Sequence, residues 1–95
     1  MTRAIVLNAA DNVATLLGDG RAGDSCQLEG EASGQVNLRQ DVAFGHKVCI
    51  ADTAEGASVV KYGQVIGRAR HPIRIGEHAH VHNIESRRRS DLSRR

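Results

Sequence analysis

Histidines are concentrated in one stretch near the end of this sequence. The segment GEHAHVHN (76–83) has a histidine at every second position: His78, His80 and His82. Side chains alternate between faces along a strand, so the three imidazoles are predicted to share one face while the residues between them face the core. Imidazole can bind Fe, Zn, Cu or Ni and can transfer protons near neutral pH. The same alternation is also typical of an ordinary polar strand face, so both interpretations stay open at this point.

A second motif, FGHKV (44–48), places a histidine and a lysine side by side after a glycine. Gly45 has no side chain and would let the backbone approach a ligand closely. His46 and Lys47 point to opposite faces if the segment is extended. Chemically, His46 can transfer protons near neutral pH and Lys47 can hold an anion. A His-Lys pair by itself is more often an ordinary surface feature.

The elements that must position these residues are short. The 95 residues suffice for one small domain, and its 40% hydrophobic fraction includes only one Phe, one Tyr and no Trp, so the core must be aliphatic. Ten glycines and no sustained helical periodicity favour tight turns and strands. The sequence therefore predicts an all-β fold. A core this small does not build a deep substrate cavity unaided, which points to a partner surface.

Apolar and β-branched segments recur at short intervals between turn residues, and each predicts a strand. The predicted strands are AIVL (4–7), NVATLL (12–17), CQL (26–28), QVNLR (35–39), KVCIA (47–51), SVVKY (58–62), QVIGRA (64–69), HPIRI (71–75) and the histidine stretch. One short helical turn is possible at DTAEG (52–56). Gly63 and Gly67 mark a sharp turn or a close backbone crossing within a folded-over hairpin.

The charge distribution divides the chain in two. Residues 84–95 carry five arginines and two acidic residues, a balance of +3, whereas residues 1–83 have a balance of −1. A basic tail on a near-neutral body is not the broad basic face of a nucleic-acid binder. We therefore expect one domain over residues 4–84, followed by a basic and flexible tail over residues 85–95, without a nucleic-acid partner.

Neither cysteine spacing nor hydropathy indicates secretion or a membrane. Cys26 and Cys49 are far apart and predict reduced thiols rather than a disulfide or a zinc ribbon. No apolar run has the length of a membrane helix, and the N-terminus has no signal-peptide pattern. The expectation is a cytoplasmic protein without a membrane partner.

Several motifs, in order along most of the chain, resemble the N-terminal SAF domain of altronate dehydratases. They are DNVA (11–14), GHK (45–47), KYG (61–63), IG (66–67) and GEHAHVHN (76–83). The same module occurs in the wider altronate–galactarate dehydratase family and as the small subunit of sulfolactate sulfo-lyase. The resemblance implies a compact β-clip fold of short twisted strands, shared with sialic-acid synthase tails and type III antifreeze proteins.

The resemblance also implies a function. It predicts the small subunit, or an N-terminal-type domain, of a lyase that completes its active site with a large partner chain. The reaction would be β-elimination from a hydroxy-acid carboxylate, releasing water or, from sulfolactate, sulfite. The alternative is a non-catalytic SAF module that binds a carbohydrate or a protein, since fold does not determine function.

The family chemistry assigns roles to the candidate residues. His46 would be the catalytic acid or base, and Lys47 with Gly45 would bind the substrate. His80 and His82 would face a site shared with the large subunit, with His78 nearer its rim. A divalent metal, Fe²⁺ by resemblance, would be held there only in the presence of the partner, because one strand of imidazoles does not complete a closed site.

Overall fold

The fold consists of nine strands joined by tight turns. The structure, a computed structural model, describes residues 2–80 and 82–86. The strands are β1 (Thr2–Val6), β2 (Val13–Leu16), β3 (Ser25–Gly30), β4 (Gln35–Asn37), β5 (Lys47–Cys49), β6 (Ser58–Lys61), β7 (Gln64–Ala69), β8 (His78–Ala79) and β9 (Ile84–Ser86). The described residues contain no helix, so the prediction of an all-β fold of short strands is confirmed.

No helix in the described part of the chain is long and apolar enough to cross a membrane.

Six strands form the larger sheet, in the order β4-β3-β1-β2-β5-β8. The β1–β3 pair is parallel and the other pairs are antiparallel. Alternation decides which side chains are buried: in β1, Thr2, Ala4 and Val6 point inward. The first core is aliphatic, as predicted, and comprises Ala4, Val6, Ala14, Leu16, Cys26, Leu28, Val36, Leu38, Val42 and Val48. Burial of such side chains is the main stabilising contribution here.

The remaining strands form a three-stranded sheet, in the order β6-β7-β9, over a second core. That core comprises Val13, Cys49, Val59, Ala69, Ile73, Ala79 and Ile84. Gly67 lies against the β9 backbone, where any Cβ would collide with the Glu85 carbonyl oxygen, so the close crossing predicted at this glycine is present. Strands β2 and β5 contribute to both cores and thereby join the two sheets.

The β6–β7 connection is a two-residue turn in which both residues have positive φ, 55° at Tyr62 and 77° at Gly63. This is the turn type that matches the right-handed twist of a hairpin, and it usually places Asn or Gly at the first position. Tyr62 is therefore in an unfavourable backbone conformation. The predicted folded-over hairpin is present, with a bulge between Val59 and Val60.

Three local predictions were wrong. The segment 71–75 is not a strand but a loop with a single bridge between Thr53 and Ile73, since Pro72 has no N–H to give to a ladder. Residues 52–56 form that bridge and a turn instead of a helical turn. The histidine strand is only two residues long, because the chain turns after Ala79.

Only part of the predicted domain and tail falls within the described residues. The described strands begin at Thr2 and continue to Ser86, two residues beyond each predicted limit of the 4–84 domain. Residues 87–95, which make up most of the predicted basic tail, lie outside the described residues.

Candidate functional site

Four imidazoles meet at the β5–β8 edge of the larger sheet; we call them the imidazole cluster. His78 is on β8, His80 and His82 follow it, and His46 directly precedes β5. The centroid of the His78 ring lies 5.2 Å from that of His46, 5.3 Å from that of His80 and 5.6 Å from that of His82. The rings of His46 and His80 are 5.4 Å apart. The structure thus brings His46 together with the three histidines of the 76–83 stretch.

The cluster forms by a different route from the predicted one. The chain turns after Ala79, and buried Asn83 holds the backbone on both sides of Ala79. The Asn83 side chain accepts a hydrogen bond from the His80 N–H (2.9 Å) and donates one to the His78 carbonyl oxygen (2.8 Å). Sequence reasoning missed this role of Asn83, although a buried Asn closing a polar run is a typical turn signal. Val81, predicted to face the core, lies outside the described residues.

His78 lies within 5.6 Å of each of the other three rings of the cluster, and its predicted place near the rim of a site shared with a large chain stays a prediction. It is half-buried and has ring contacts with each of the other three histidines, while His82 is exposed. His46 Nδ1 and His78 Nε2 are 3.1 Å apart, so one ring donates a proton to the other. A proton on both of these nitrogens would break that bond.

Charge repulsion and burial keep the central imidazoles neutral. Burial lowers the pKa of His78 to about 4, and positive charge on His80, His46, His82 and Lys47 adds to the effect. Burial also lowers the pKa of His80, with further lowering by the Lys47 ammonium group. Near neutral pH, His78 is therefore an uncharged ring with one N–H and one lone-pair nitrogen, and its Nε2 shares a hydrogen bond with His46.

The imidazole nitrogens of the cluster are of a kind that binds metals, but among the described residues no complete set of ligands surrounds one ion position. Two nitrogens on one tetrahedral ion lie about 3.4 Å apart, and the His46–His78 separation of 3.1 Å is close to that value. Across residues 2–80 and 82–86, however, no three His, Cys, Asp or Glu side chains are arranged to hold one ion. A metal would need a small movement of the rings or further ligands from a partner or a substrate.

A shallow, open depression of about 470 Å³ lies beside His46 and His78, and we refer to it below as the open cavity. Asp19 and Asp41 line it, but each carboxylate already accepts a backbone hydrogen bond, of 2.8 and 2.9 Å respectively. These two acids therefore stabilise the loops around the cavity. Sequence reasoning did not anticipate either of them.

The backbone conformation at position 45 explains why this residue is glycine. Its φ is 81°, a conformation that favours glycine, and an added Cβ would meet nothing within 4 Å. Its N–H donates to the Leu16 carbonyl oxygen at 2.9 Å, which closes the turn before β5. The ligand contact predicted for Gly45 stays a prediction, since turn geometry alone accounts for the residue.

Lys47 lies on the other face of β5 from Val48, as alternation predicts, and is half-buried. Burial lowers the pKa of Lys47, and repulsion from the Lys61 ammonium group lowers it further. Lys61 reaches this region because the tip of the β6–β7 hairpin folds over β2. There the Tyr62 hydroxyl is 3.2 Å from the Thr15 hydroxyl, which is hydrogen-bonding distance.

Comparison with known proteins identifies relatives along nearly the whole chain. Residues 2–87 match the model of the altronate/galactarate dehydratase SAF domain. Altronate dehydratase of Escherichia coli is 44% identical over 82 residues, and that of Bacillus subtilis is 36% identical over 86 residues. These matches cover 86% and 90% of this chain but only 16% and 17% of those enzymes.

A shorter protein matches as well. The alpha subunit of (2R)-sulfolactate sulfo-lyase from Chromohalobacter salexigens is 44% identical over 54 residues, which cover 57% of each chain. The chain thus spans about a sixth of the altronate dehydratases and just over half of this subunit.

Proposed function

Since this chain belongs to the altronate/galactarate dehydratase SAF-domain family, we propose that it is the small subunit or N-terminal-type domain of a lyase. In this proposal it works with a large partner chain in the cytoplasm and assists β-elimination from a hydroxy-acid carboxylate. The leaving group is water in an altronate-like reaction or sulfite in a sulfolactate-like one. The observation that carries the proposal is the imidazole cluster, in which His46 meets the three histidines beside an open cavity.

The chemistry of elimination matches what the cluster offers. The reaction removes a proton from the carbon beside the carboxylate and assists departure of a group from the next carbon. His46 is exposed at the cavity and hydrogen-bonded to His78, so it can take or give a proton while His78 fixes its ring. Lys47, with the Gly45 turn beside it, is the proposed substrate-binding residue. Its ammonium group is near enough to the cluster to help lower the pKa of His80, so an anion held by Lys47 would lie beside the imidazoles.

His78, His80 and His82 are the proposed ligands of a divalent metal, with Fe²⁺ the expected ion. A bound metal of this kind supplies Lewis-acid assistance to the departing hydroxyl group. The neutral state of His78 suits this role, because only the unprotonated ring has a lone pair for the ion. The missing ligands would come from the large chain or the substrate.

Reconstituted turnover tests the proposed reaction. The 95-residue chain alone is expected to be inactive, and activity on altronate, galactarate or sulfolactate should need the large chain. In the active complex, His46→Ala should lower turnover by ~10²-fold or more, the usual loss for a general acid or base. The matched control is His71→Ala, at an exposed histidine outside the cluster. Full activity of the His46 variant, or turnover by the isolated chain, would contradict the proposal.

Calorimetry tests the metal assignment. Fe²⁺, Mn²⁺ and Zn²⁺ should bind weakly to the isolated chain and more tightly to the complex. The double variant His80→Ala, His82→Ala should lose this tighter binding. If that variant binds metal and turns over like the wild type, the three histidines are only a polar surface, and the non-catalytic binding module becomes the better description.

A further inference from the structure

Two lysines approach each other on the side of β5 opposite the first core. Lys47 on β5 is the cross-strand partner of Thr15 on β2. The Thr15 hydroxyl is 3.2 Å from the Tyr62 hydroxyl, and the Lys61 ammonium group is 4.8 Å from the centre of the Tyr62 ring. Lys61, Tyr62, Thr15 and Lys47 thus form one continuous polar row, which we call the lysine site.

The hairpin tip is fastened where it supplies half of this site. The Asp11 carboxylate accepts a hydrogen bond from the Gly63 N–H at 2.8 Å, and Asn12 Oδ1 accepts one from the Val60 N–H at 2.7 Å. Between these attachments Tyr62 keeps a φ of 55°, which costs free energy for a residue other than glycine. Strain of this kind persists only where surrounding contacts determine the conformation, so the position of the Tyr62 hydroxyl over β2 is fixed rather than incidental.

The charges in the lysine site are not balanced by acids. Among the described residues the one ion pair joins Arg3 and Glu29, and it includes neither lysine. Lys47 is half-buried, and the neighbouring charge that acts on it is the positive charge of Lys61. After burial, the Lys47 charge is the next contribution that lowers the pKa of His80. The lysine site therefore combines two interacting positive charges with a pair of hydroxyls, and an anionic group with several oxygens would stabilise this arrangement.

We infer that Lys47 and Lys61 together bind the anionic group of the substrate and so orient the substrate toward the imidazole cluster. Of the paired Tyr62 and Thr15 hydroxyls, the one that accepts the bond between them keeps its own proton and donates it to the anion. This inference rests on the proposed function and adds Lys61, Tyr62 and Thr15 to it. The ligand class is a hydroxylated acid anion rather than a neutral sugar. A carboxylate and a sulfonate present the same acceptor oxygens to such a site.

Titration of the isotope-labelled 95-residue chain with gluconate, followed by NMR, tests the inference directly. Gluconate should shift the backbone amide signals of Thr15, Lys47 and Tyr62, whereas glucitol, its neutral counterpart, should not. Isethionate, a hydroxylated sulfonate, separates a preference for sulfonate from one for carboxylate. Lys61→Gln should weaken binding of the preferred anion by ~10-fold, the size expected for one charge-assisted hydrogen bond.

Two further variants separate a local site from general electrostatics. Lys61→Arg keeps the charge and should bind within a few-fold of the wild type. Arg3→Gln removes one positive charge from β1, two strands away from β5, and should leave binding unchanged. Equal shifts with glucitol, equal weakening by Arg3→Gln, or unchanged binding in Lys61→Gln would each overturn the inference.

The titration needs no turnover, so its result is independent of the proposed reaction. Anion binding that depends on Lys61, found together with a complex that never turns over, would reject the reaction and leave the lysine site in place. In an active complex, Lys61→Gln should raise KM more than it lowers kcat, because the residue positions the substrate. An active complex whose KM is unaffected by Lys61→Gln would reject the lysine site alone.

Discussion

The imidazole cluster and the lysine site lie next to each other at β5, yet they differ in charge: the central imidazole is neutral, whereas the two lysines are positive. Burial and mutual repulsion keep His78 uncharged near neutral pH, with a pKa of about 4. The lysine site keeps two positive charges close together without an acid between them among the described residues. An elimination needs groups that transfer protons and groups that bind the acid anion. Here the imidazoles would do the first and the neighbouring lysines the second.

The two regions are also fastened differently. In the imidazole cluster, the Asn83 side chain bonds to the backbone on both sides of Ala79, and Gln40 Oε1 accepts a hydrogen bond from the His78 N–H at 2.8 Å. The hairpin of the lysine site is held at its tip by Asp11 and along β6 by two hydrogen bonds of the Asn12 side chain, which also bonds to Thr53. We therefore expect the two regions to loosen independently, and variants can test that separation.

The largest effect is expected for Asn12→Ala. This change removes the hydrogen bonds from the Val60 N–H and to the Thr53 hydroxyl and the Ser58 carbonyl oxygen. At about 1 kcal/mol for each bond, the free energy of unfolding should fall by about 3 kcal/mol. Urea denaturation measures this loss, and amide exchange should quicken in the β6–β7 hairpin before the histidine turn.

Asn8→Ala is the matched control for Asn12. Asn8 Oδ1 accepts one exposed, local hydrogen bond from the Ala10 N–H, so its removal should cost less than about 1 kcal/mol. If Asn12→Ala costs no more than Asn8→Ala, or if the histidine turn opens together with the hairpin, the two regions are not independent.

A smaller effect, about 2 kcal/mol, is expected for Asn83→Ala. The variant loses both side-chain hydrogen bonds of Asn83 to the backbone of His78 and His80 and leaves a buried cavity where the amide was. With the imidazoles free to separate, the pKa of His78 should rise toward its ordinary value, which NMR titration of the ring protons measures. The hairpin amides should be unaffected.

Asn83→Asp gives the finer comparison, because it keeps the acceptor for the His80 N–H and loses only the donor to the His78 carbonyl oxygen. It should fall between the wild type and Asn83→Ala in stability. An Asn83→Ala chain with wild-type stability and an unchanged His78 titration would mean that the imidazole cluster does not depend on this turn.

The smallest effect is a pH dependence that belongs to the imidazole cluster. In the folded chain the pKa of His78 is lowered to about 4, whereas in the unfolded chain it returns to its ordinary value of 6.5. Below pH 6.5 the unfolded chain therefore binds a proton that the folded chain does not. The free energy of unfolding should fall as the pH drops from 6.5 toward 4 and level off once folded His78 is protonated.

Solvent screening at the half-buried ring limits this loss to about 1 kcal/mol. Denaturation at about pH 7 and about pH 5 measures it. His78→Gln should flatten the dependence, and His71→Gln, at an exposed histidine outside the cluster, should leave it intact. A His78→Gln chain that keeps the wild-type slope would assign the dependence to other groups.

Much of the strand layout could be predicted because it follows from local alternation and from turn residues. The aliphatic first core and the hairpin around Gly63 are of this kind. The strand predictions failed where a single tertiary contact, rather than the local sequence pattern, decides the backbone conformation. Ile73 reads as part of a strand by composition, but it makes one bridge to Thr53 within a loop. Propensity over a few residues does not reveal which backbone will lie alongside them.

The sequence by itself determined the candidate groups: the neighbours His46 and Lys47, the three alternating histidines, and the glycines that permit the turns. These features depend on spacing of a few residues, which backbone geometry converts directly into direction.

Only the tertiary structure decided which of these groups meet. His46 and His78 are 32 positions apart, and their 3.1 Å contact exists because β5 pairs with β8. Lys61 reaches the region of Lys47 because the hairpin tip is fastened to the Asp11–Asn12 segment. Contacts between residues so distant along the chain depend on strand pairing and on buried side chains such as Asn83, whose partners are set by packing rather than by local sequence.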